Sequence, residues 1–142
     1  VDTTTQKRQR QAQRARLISH EVKNRGRHPI LLGDLNKDIA GEAYDGSLDP
    51  LVDGTIFVNP TAEAIPNSED RWTHYYSSKG TVSQLDYVLV DADLRSKIRS
   101  VGIFRGGLTI KCAQYAGPRV GTISADDLEA SDHCALSVDL DL

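Results

Sequence analysis

The stretch Pro29-Ile30-Leu31-Leu32-Gly33-Asp34-Leu35-Asn36 indicates the fold class of this chain. Its apolar run enters through a proline and stops at a glycine, which is typical of a short buried strand. A carboxylate just past such a strand is held by a rigid element while it faces solvent or a ligand. The same tetrapeptide, residues 33–36, could instead be a turn in which Asp34 and Asn36 bond to the local backbone.

Outward from this stretch, the sequence predicts a mixed α/β protein. A helix is expected over residues 5–25, because no proline or glycine interrupts it and Ala15, Ile18 and Val22 form an apolar stripe. Residues 37–70 are predicted to be a long loop region with small elements, and such loops are usually functional. Strands are predicted at 72–76, 85–90, 98–104, 108–112 and 135–142, with a turn near 78–80 after the first.

Length and composition exclude several classes of protein. The 142 residues suit one domain, and the chain has no apolar run near the roughly 18 residues that a membrane span requires. The two cysteines, Cys112 and Cys134, are too few for a disulfide-rich scaffold. They could form one bridge, but two free thiols in a reducing compartment are the favoured interpretation, which points to the cytoplasm.

Charge is distributed unevenly along the chain. Residues 1–27 hold eight basic and two acidic residues, whereas residues 28–142 hold nine basic and eighteen acidic residues. The resulting net charges are +6 and −9. An acidic body suits divalent metal ions and does not suit nucleic-acid binding by bulk charge alone. The basic helix could contact phosphates, but a solvated helix face is the simpler interpretation.

Two further segments carry residues that could do chemistry. Alternation along 85–90 places Asp86 on an otherwise apolar face, and burying a carboxylate is costly unless it is paired. Such a carboxylate often orients a histidine through its ring N–H, or it simply accepts backbone donors. Ser131, Asp132 and His133 stand directly before the last strand, where an acid and a base are adjacent.

Five polar residues are thus predicted at or near strand ends. Together they offer metal ligands, a water-activating carboxylate and an Asp–His pair. That inventory suits metal-assisted hydrolysis of a phosphate ester. The residues are Asp34, Asn36, Asp86, Asp132 and His133.

Four motifs, in this order, resemble the endonuclease/exonuclease/phosphatase family, which includes deoxyribonuclease I. They are Ile-Leu-Leu-Gly-Asp-Leu-Asn at 30–36, Trp-Thr-His at 72–74, Gln-Leu-Asp-Tyr-Val-Leu-Val at 84–90 and Ser-Asp-His at 131–133. The resemblance implies a phosphoesterase that depends on Mg²⁺, or on Mn²⁺, and a four-layered α/β/β/α sandwich. Its substrate would be a phosphodiester or a phosphomonoester, with nucleic acid as one such partner.

The resemblance also implies a role for each site residue. Asp34 would align and activate the attacking water, while Asp86 would orient His133. His133 would contact the phosphate and stabilise the charge that builds on its oxygens. The implied catalytic residues are Asp34, Asn36, Asp86 and His133, the metal ligands are Asp34 and Asp132, and the substrate-binding residues are Asn36 and His74.

The chain departs from the family pattern upstream of residue 30. The family has an Asn, a metal-binding Glu and a further His or Tyr before the Gly-Asp-Leu-Asn segment, whereas here a basic helix stands there. Residues 1–142 are therefore interpreted as the C-terminal part of one such domain, about half of the sandwich. Apolar strand faces around Asp86 and Leu136 would need a cover, and the expected partner is the upstream half or a second copy.

Two alternatives to an enzyme remain open in the sequence. The chain could retain the motifs while being catalytically silent and act as a binding module. Residues 34–45 also resemble a calcium-binding loop, with Asp34, Asn36, Asp38 and Asp45 as ligands. That loop needs a glycine at its sixth position, where this sequence has Ile39.

Overall fold

Antiparallel strand pairing and one long helix build this molecule, which is represented by a computed structural model describing residues 3–121, 123, 129 and 131–142. The fold is mixed α/β, with small sheets that do not close. The helices are α1 Thr4–Asn24, α2 Asp49–Val52 and α3 Pro60–Ala64, with short 3-10 turns at Ser68–Asp70 and Ala92–Lys97. The strands are β1 Ile30–Asp34, β2 Phe57–Val58, β3 His74–Tyr76, β4 Thr81–Ser83, β5 Asp86–Asp91, β6 Ile98–Phe104 and β7 Ala135–Leu140.

Helix α1 begins with a reciprocal cap. The Thr3 side chain accepts a hydrogen bond from the Gln6 backbone, and the Gln6 side chain accepts one from the Thr3 backbone. The predicted helix is confirmed, but its buried face is centred on Ala12 and Ser19. Ile18, which was expected in the apolar stripe, is 46% exposed. Ala12 belongs to the same buried cluster as Leu48 and Leu51 of the α2 region and Leu89 of β5.

Strand β5 lies at the centre of the largest sheet, whose order is β1-β5-β2 with antiparallel pairing throughout. Tyr87 and Leu89 of this strand are fully buried and pack in one cluster with α1 and the loop after β1. The same pairing sets Leu31 opposite Leu89 and Asp34 opposite Asp86. The main core therefore lies between α1 and this sheet.

Strand β1 is an edge strand, which makes the prediction of a fully buried strand wrong. Leu31 packs on the core, but Ile30 is 41% exposed and Leu32 is 70% exposed. Within the described residues, β1 pairs with β5 alone. The apolar run is present as expected, but the described chain covers only one of its faces.

The exposed face of β1 gives the first testable expectation. The purified chain should bind a hydrophobic dye, and Leu32→Ser should reduce the dye fluorescence because it removes the most exposed apolar side chain of β1. The free energy of unfolding should change by no more than about 0.5 kcal/mol, since Leu32 is already mostly exposed in the folded chain. Leu142→Ser is the matched control at an isolated terminal leucine. Equal fluorescence from the two variants would contradict a dye site on β1.

Two smaller sheets complete the fold and correct two predictions. Strand β3 forms its hairpin with β4, so the segment at 85–90 is not the strand that follows the turn at 78–80. Strands β6 and β7 pair with each other as a separate ribbon. Residues 108–112 are a series of turns and not a strand, although Leu108 and Cys112 are both buried. Burial by tertiary packing explains the apolar pattern that predicted a strand there.

The cysteines pack into one cluster with Trp72, Tyr75 and Leu108. Cys112 and Cys134 are buried free thiols, as the sequence predicted. Burial raises the pKa of both, to about 11 for Cys134. Thiols of this kind are poor nucleophiles near neutral pH, and the pair is part of the core packing.

None of the helices in the described ranges combines the length and the apolar character needed to cross a bilayer.

Candidate active site

The pairing of β1 with β5 places two carboxylates at one edge of the sheet. Asp34 ends β1, Asp86 begins β5, and the two are directly opposite in the antiparallel register. Gly33 has φ +144°, a backbone conformation that L side chains rarely adopt. Open space surrounds the position where a Cβ of residue 33 would lie, so the backbone alone favours glycine there.

The segment after β1 forms a local turn and also leaves the Asp34 carboxylate exposed, so both interpretations of residues 33–36 apply. Asp34 Oδ1 accepts a hydrogen bond from the Asn36 backbone at 2.8 Å, which is the local turn. Asn36 has φ 54°, and its side chain is exposed beside Asp34. Asp34 is exposed and contributes to the lining of a groove, so a water or an ion can reach its carboxylate.

Asp86 and His133 form the hydrogen bond that the sequence predicted. His133 Nδ1 lies 2.7 Å from Asp86 Oδ2, and Thr73 Oγ1 donates to the same oxygen at 2.8 Å. Thr73 is fully buried, and its hydroxyl also accepts from the Leu85 and Asp86 backbone N–H groups. Because the carboxylate accepts from Nδ1–H, Nε2 of His133 is left for a substrate or an ion.

The electrostatic surroundings of His133 favour its charged form. Burial lowers the pKa of this imidazole, but the hydrogen bond to Asp86 and the charges of Asp86, Asp34 and Asp132 outweigh burial, so the pKa is raised. A histidine with a raised pKa carries more positive charge near neutral pH. Such a group is suited to stabilise negative charge on a phosphate.

His74 and Asp132 stand next to this pair. A β-bridge joins residues 74 and 133, and their rings lie 4.8 Å apart between centroids. His74 Nε2 lies 3.5 Å from Asp132 Oδ2, while His74 Nδ1 is buried without a hydrogen-bond partner. Backbone bonds from Tyr75 to Asp132 and from Cys134 to Thr73 hold the two segments together.

The structure thus gathers the sequence-predicted residues at one edge of the molecule. The His133 imidazole interacts electrostatically with Asp34, Asp86 and Asp132. His74 is close to this group, since its Nε2 lies 3.5 Å from Asp132 and its ring centroid lies 4.8 Å from that of His133. Asn36 lies beside Asp34 and shares with it a groove of about 540 Å³ that runs along α1. Asp86 and His133 are not part of the lining of that groove.

Thr73 is the site residue that sequence reasoning missed. It lies in the Trp-Thr-His motif, but the expected role in that motif went to His74. A threonine between a buried aromatic residue and a histidine was the available signal. Its structural role is visible only when β5 is placed beside it.

The calcium-loop alternative at residues 34–45 does not correspond to the observed side-chain contacts. Asp38 accepts hydrogen bonds from the Ala40 and Gln84 backbones. Asp45 accepts from Thr5 and lies within ion-pair distance of Arg8 and Lys37. Within the described ranges, the three aspartates of this loop are not gathered as a ligand group. Each stabilises a different part of the fold.

The donors at this edge fit the chemistry of a magnesium ion. Mg²⁺ usually takes one or two carboxylates and completes its shell with waters and substrate phosphate oxygens. Asp34 and Asp132 are both exposed and both contribute to the field around His133.

Comparisons of the chain with protein-family models, curated proteins and solved structures give no match. The resemblance carried by the four motifs therefore stays a prediction.

Proposed function

We propose that this chain forms part of the active site of a Mg²⁺-dependent phosphoesterase. The observation that carries the proposal is the hydrogen bond of 2.7 Å between Asp86 and His133, at the edge where β1 presents Asp34. An oriented imidazole close to an exposed carboxylate is what a hydrolytic site requires for water activation and charge stabilisation.

In this proposal, each of the site residues has a separate role in the hydrolysis. Asp34 would align and activate the attacking water, and Asn36 would donate a hydrogen bond to the scissile phosphate. His133 donates from Nε2 to a phosphate oxygen, while Asp86 holds its ring and compensates its charge. Asp34 and Asp132 would hold a Mg²⁺ ion, which would supply Lewis-acid polarisation of the phosphate.

We also propose that residues 1–142 contribute about half of a four-layered α/β/β/α sandwich. The exposed apolar residues Ile30 and Leu32 on edge strand β1 support an additional covering element. At about 25 cal/mol per Å² of apolar surface, covering such side chains is worth a few kcal/mol. The upstream half of the domain or a second copy would provide the cover, together with the metal-binding Glu.

The substrate is proposed to be a phosphate ester that is not held by bulk charge. Three basic residues of α1, namely Arg8, Arg16 and Lys23, already form ion pairs with carboxylates of the acidic body. Fewer cations are therefore available to bind a polynucleotide backbone, although nucleic acid remains one candidate. The buried free thiols suit a reducing compartment, for which we propose the cytoplasm.

A metal-dependent assay tests the proposed function. Plasmid DNA and a small aryl phosphomonoester are each incubated with the chain in the presence of Mg²⁺, Mn²⁺ or excess chelator. Hydrolysis is expected with the metals and not with chelator, at a low rate because these 142 residues offer no counterpart of the metal-binding Glu in the family pattern. Asp34→Asn should abolish it, whereas Asp139→Asn, an exposed carboxylate on β7, should leave it unchanged.

The same assay separates the alternatives. Equal rates with and without chelator would remove the metal mechanism. Binding of the phosphate ester without turnover would instead support a catalytically silent module. If plasmid DNA is the substrate, binding should weaken steeply as salt increases, since each phosphate contact releases counterions.

A further inference from the structure

We infer that His74, Asp132 and His133 form a binding site for a borderline divalent transition metal ion of the Zn²⁺ type. The inference has a second part, which rests on the proposed function: such an ion occupies His133 and thereby inhibits the phosphoesterase. Binding itself requires only the geometry of these three side chains.

The three side chains are spaced as ligands of one ion. One ligand atom from each of them lies within 4.8 Å of the other two. His74 Nε2 and Asp132 Oδ2 are 3.5 Å apart. Two ligands at about 2.0–2.1 Å from a tetrahedral Zn²⁺ are separated by about 3.4 Å. This pair therefore already has the spacing of two bound ligands, and the ligand atom of His133 lies within 4.8 Å of both.

The surroundings select which ring nitrogens bind the ion. His133 is held by Asp86 through Nδ1, and metal-binding histidines usually bond to a carboxylate in this way while Nε2 binds the metal. His74 Nδ1 is buried, so Nε2 is its accessible nitrogen. Because Nδ1–H of a metal-bound His74 would lack an acceptor, we expect weaker binding than at a site with two supported histidines.

The donor set distinguishes this ion from Mg²⁺. Two imidazoles and one carboxylate suit Zn²⁺, Co²⁺ or Ni²⁺, whereas Mg²⁺ prefers oxygen ligands in octahedral geometry. The side chain of Asp132 is 56% exposed and that of His133 is 30% exposed, so an ion can enter from solvent. Nε2 of His133 is also the atom proposed to contact the phosphate, and Asp132 is also a proposed Mg²⁺ ligand, so a bound transition metal ion excludes both uses.

A second group in the chain has similar composition but a different environment. His28, Asp91 and Asp93 also bring three ligand atoms within 4.8 Å of one another. There, the Lys23 ammonium already binds both carboxylates. A resident cation at that position disfavours a second one by charge repulsion. Its histidine consequently serves as a control for metal binding.

The experiment titrates the full chain with Co²⁺ and follows visible absorption, with Zn²⁺ competition and calorimetry to measure affinity. Intense d–d bands of a low-coordinate Co²⁺ site that Zn²⁺ abolishes are expected. His74→Gln and, independently, Asp132→Asn should weaken binding by about tenfold or more. His20→Gln on the exposed face of α1 and His28→Gln should leave the affinity unchanged.

Each result has a defined meaning. Equal affinity in His74→Gln, Asp132→Asn and the unchanged chain would overturn the site. Asp132→Asn guards against a folding defect of the half-buried His74 variant, because Asp132 is exposed. Zn²⁺ added to the Mg²⁺-dependent assay should lower the rate in the unchanged chain. Binding by absorption together with an unaltered rate would overturn the competition at His133 and leave the site itself supported.

Discussion

Replacing Asp86 with asparagine is expected to lower kcat for Mg²⁺-dependent hydrolysis by about 100- to 10,000-fold, with KM changed by no more than a few-fold. The carboxylate fixes the His133 ring and supplies the negative charge that stabilises its protonated form. An amide keeps the shape but not the charge, so the transition state loses more than the bound substrate does. Steady-state kinetics with the better substrate of the plasmid and phosphomonoester assays measures both constants.

The matched control for this variant is Asp139→Asn, which removes one exposed carboxylate from β7. Both variants should unfold close to the unchanged chain, since the Asp86 side chain is 22% exposed and asparagine is nearly isosteric. Unaltered kcat in Asp86→Asn would exclude a positioning role for Asp86. A fall in activity that only matches a fall in the folded fraction would do the same.

The part of the fold that the sequence predicted well depends on local pattern. Segment 85–90 was correctly predicted to be a strand, and its alternation placed Asp86 on a face shared with Val88 and Val90, because period two is a direct consequence of strand geometry. The same alternation isolated Asp86, and the simplest partner for a half-buried carboxylate proved to be His133. Helix α1 was predicted to within one residue at each end, since its caps are encoded locally.

The misassigned segments depend on packing between distant parts of the chain. Leu32 belongs to an apolar run, yet whether such a run is buried depends on which elements cover it, and no local pattern contains that information. Residues 108–112 have strand-like alternation because Leu108 and Cys112 face a core cluster from a turn. The alternating pattern of this five-residue segment reflects the burial of Leu108 and Cys112. Because several backbone conformations can bury such side chains, the pattern alone does not identify a strand.

The candidate site shows the same division. Asp34 and Asp86 were recognised as unusual residues from their places in strands, but their direct opposition follows from the antiparallel register of β1 and β5. The closeness of His74 to Asp132 and His133 depends on a bridge between segments almost 60 positions apart. Sequence motifs identify the residues of such a site, whereas the chain topology determines which of them lie close enough to bind the same ligand.

The largest expected effect on stability comes from Asp91, a fully buried carboxylate at the end of β5. It binds the Lys23 ammonium, lies 2.8 Å from His28 Nδ1 and accepts from the Asp93 backbone. Asp91→Asn should lower the free energy of unfolding by about 3 kcal/mol, because it removes the counter-charge of a partly buried lysine that ties α1 to the sheet. Urea denaturation near pH 7 measures this loss.

The pH dependence of that loss identifies its origin in the ion pair. Burial alone would raise the pKa of Asp91, but hydrogen bonds from Lys23, the Asp93 backbone and His28 outweigh it and lower the pKa. Hydrogen bonds to Asp91 and Asp93 raise the pKa of Lys23 despite its partial burial. A lowered carboxyl pKa stabilises the fold above the unfolded value of about 3.9, and this stabilisation disappears as the pH falls through the folded value.

A raised lysine pKa stabilises the fold below the unfolded value of about 10.4, and this stabilisation is lost as the pH rises through the folded value. The stability difference between the unchanged chain and Asp91→Asn should therefore be constant from about pH 5 to pH 9 and shrink outside that window. Asp93→Asn is the control, because this partner of the same lysine is 65% exposed and should contribute at most about 1 kcal/mol. Equal losses from the two variants, or a difference that does not shrink in acid, would mean that the buried ion pair does not stabilise the contact between α1 and β5.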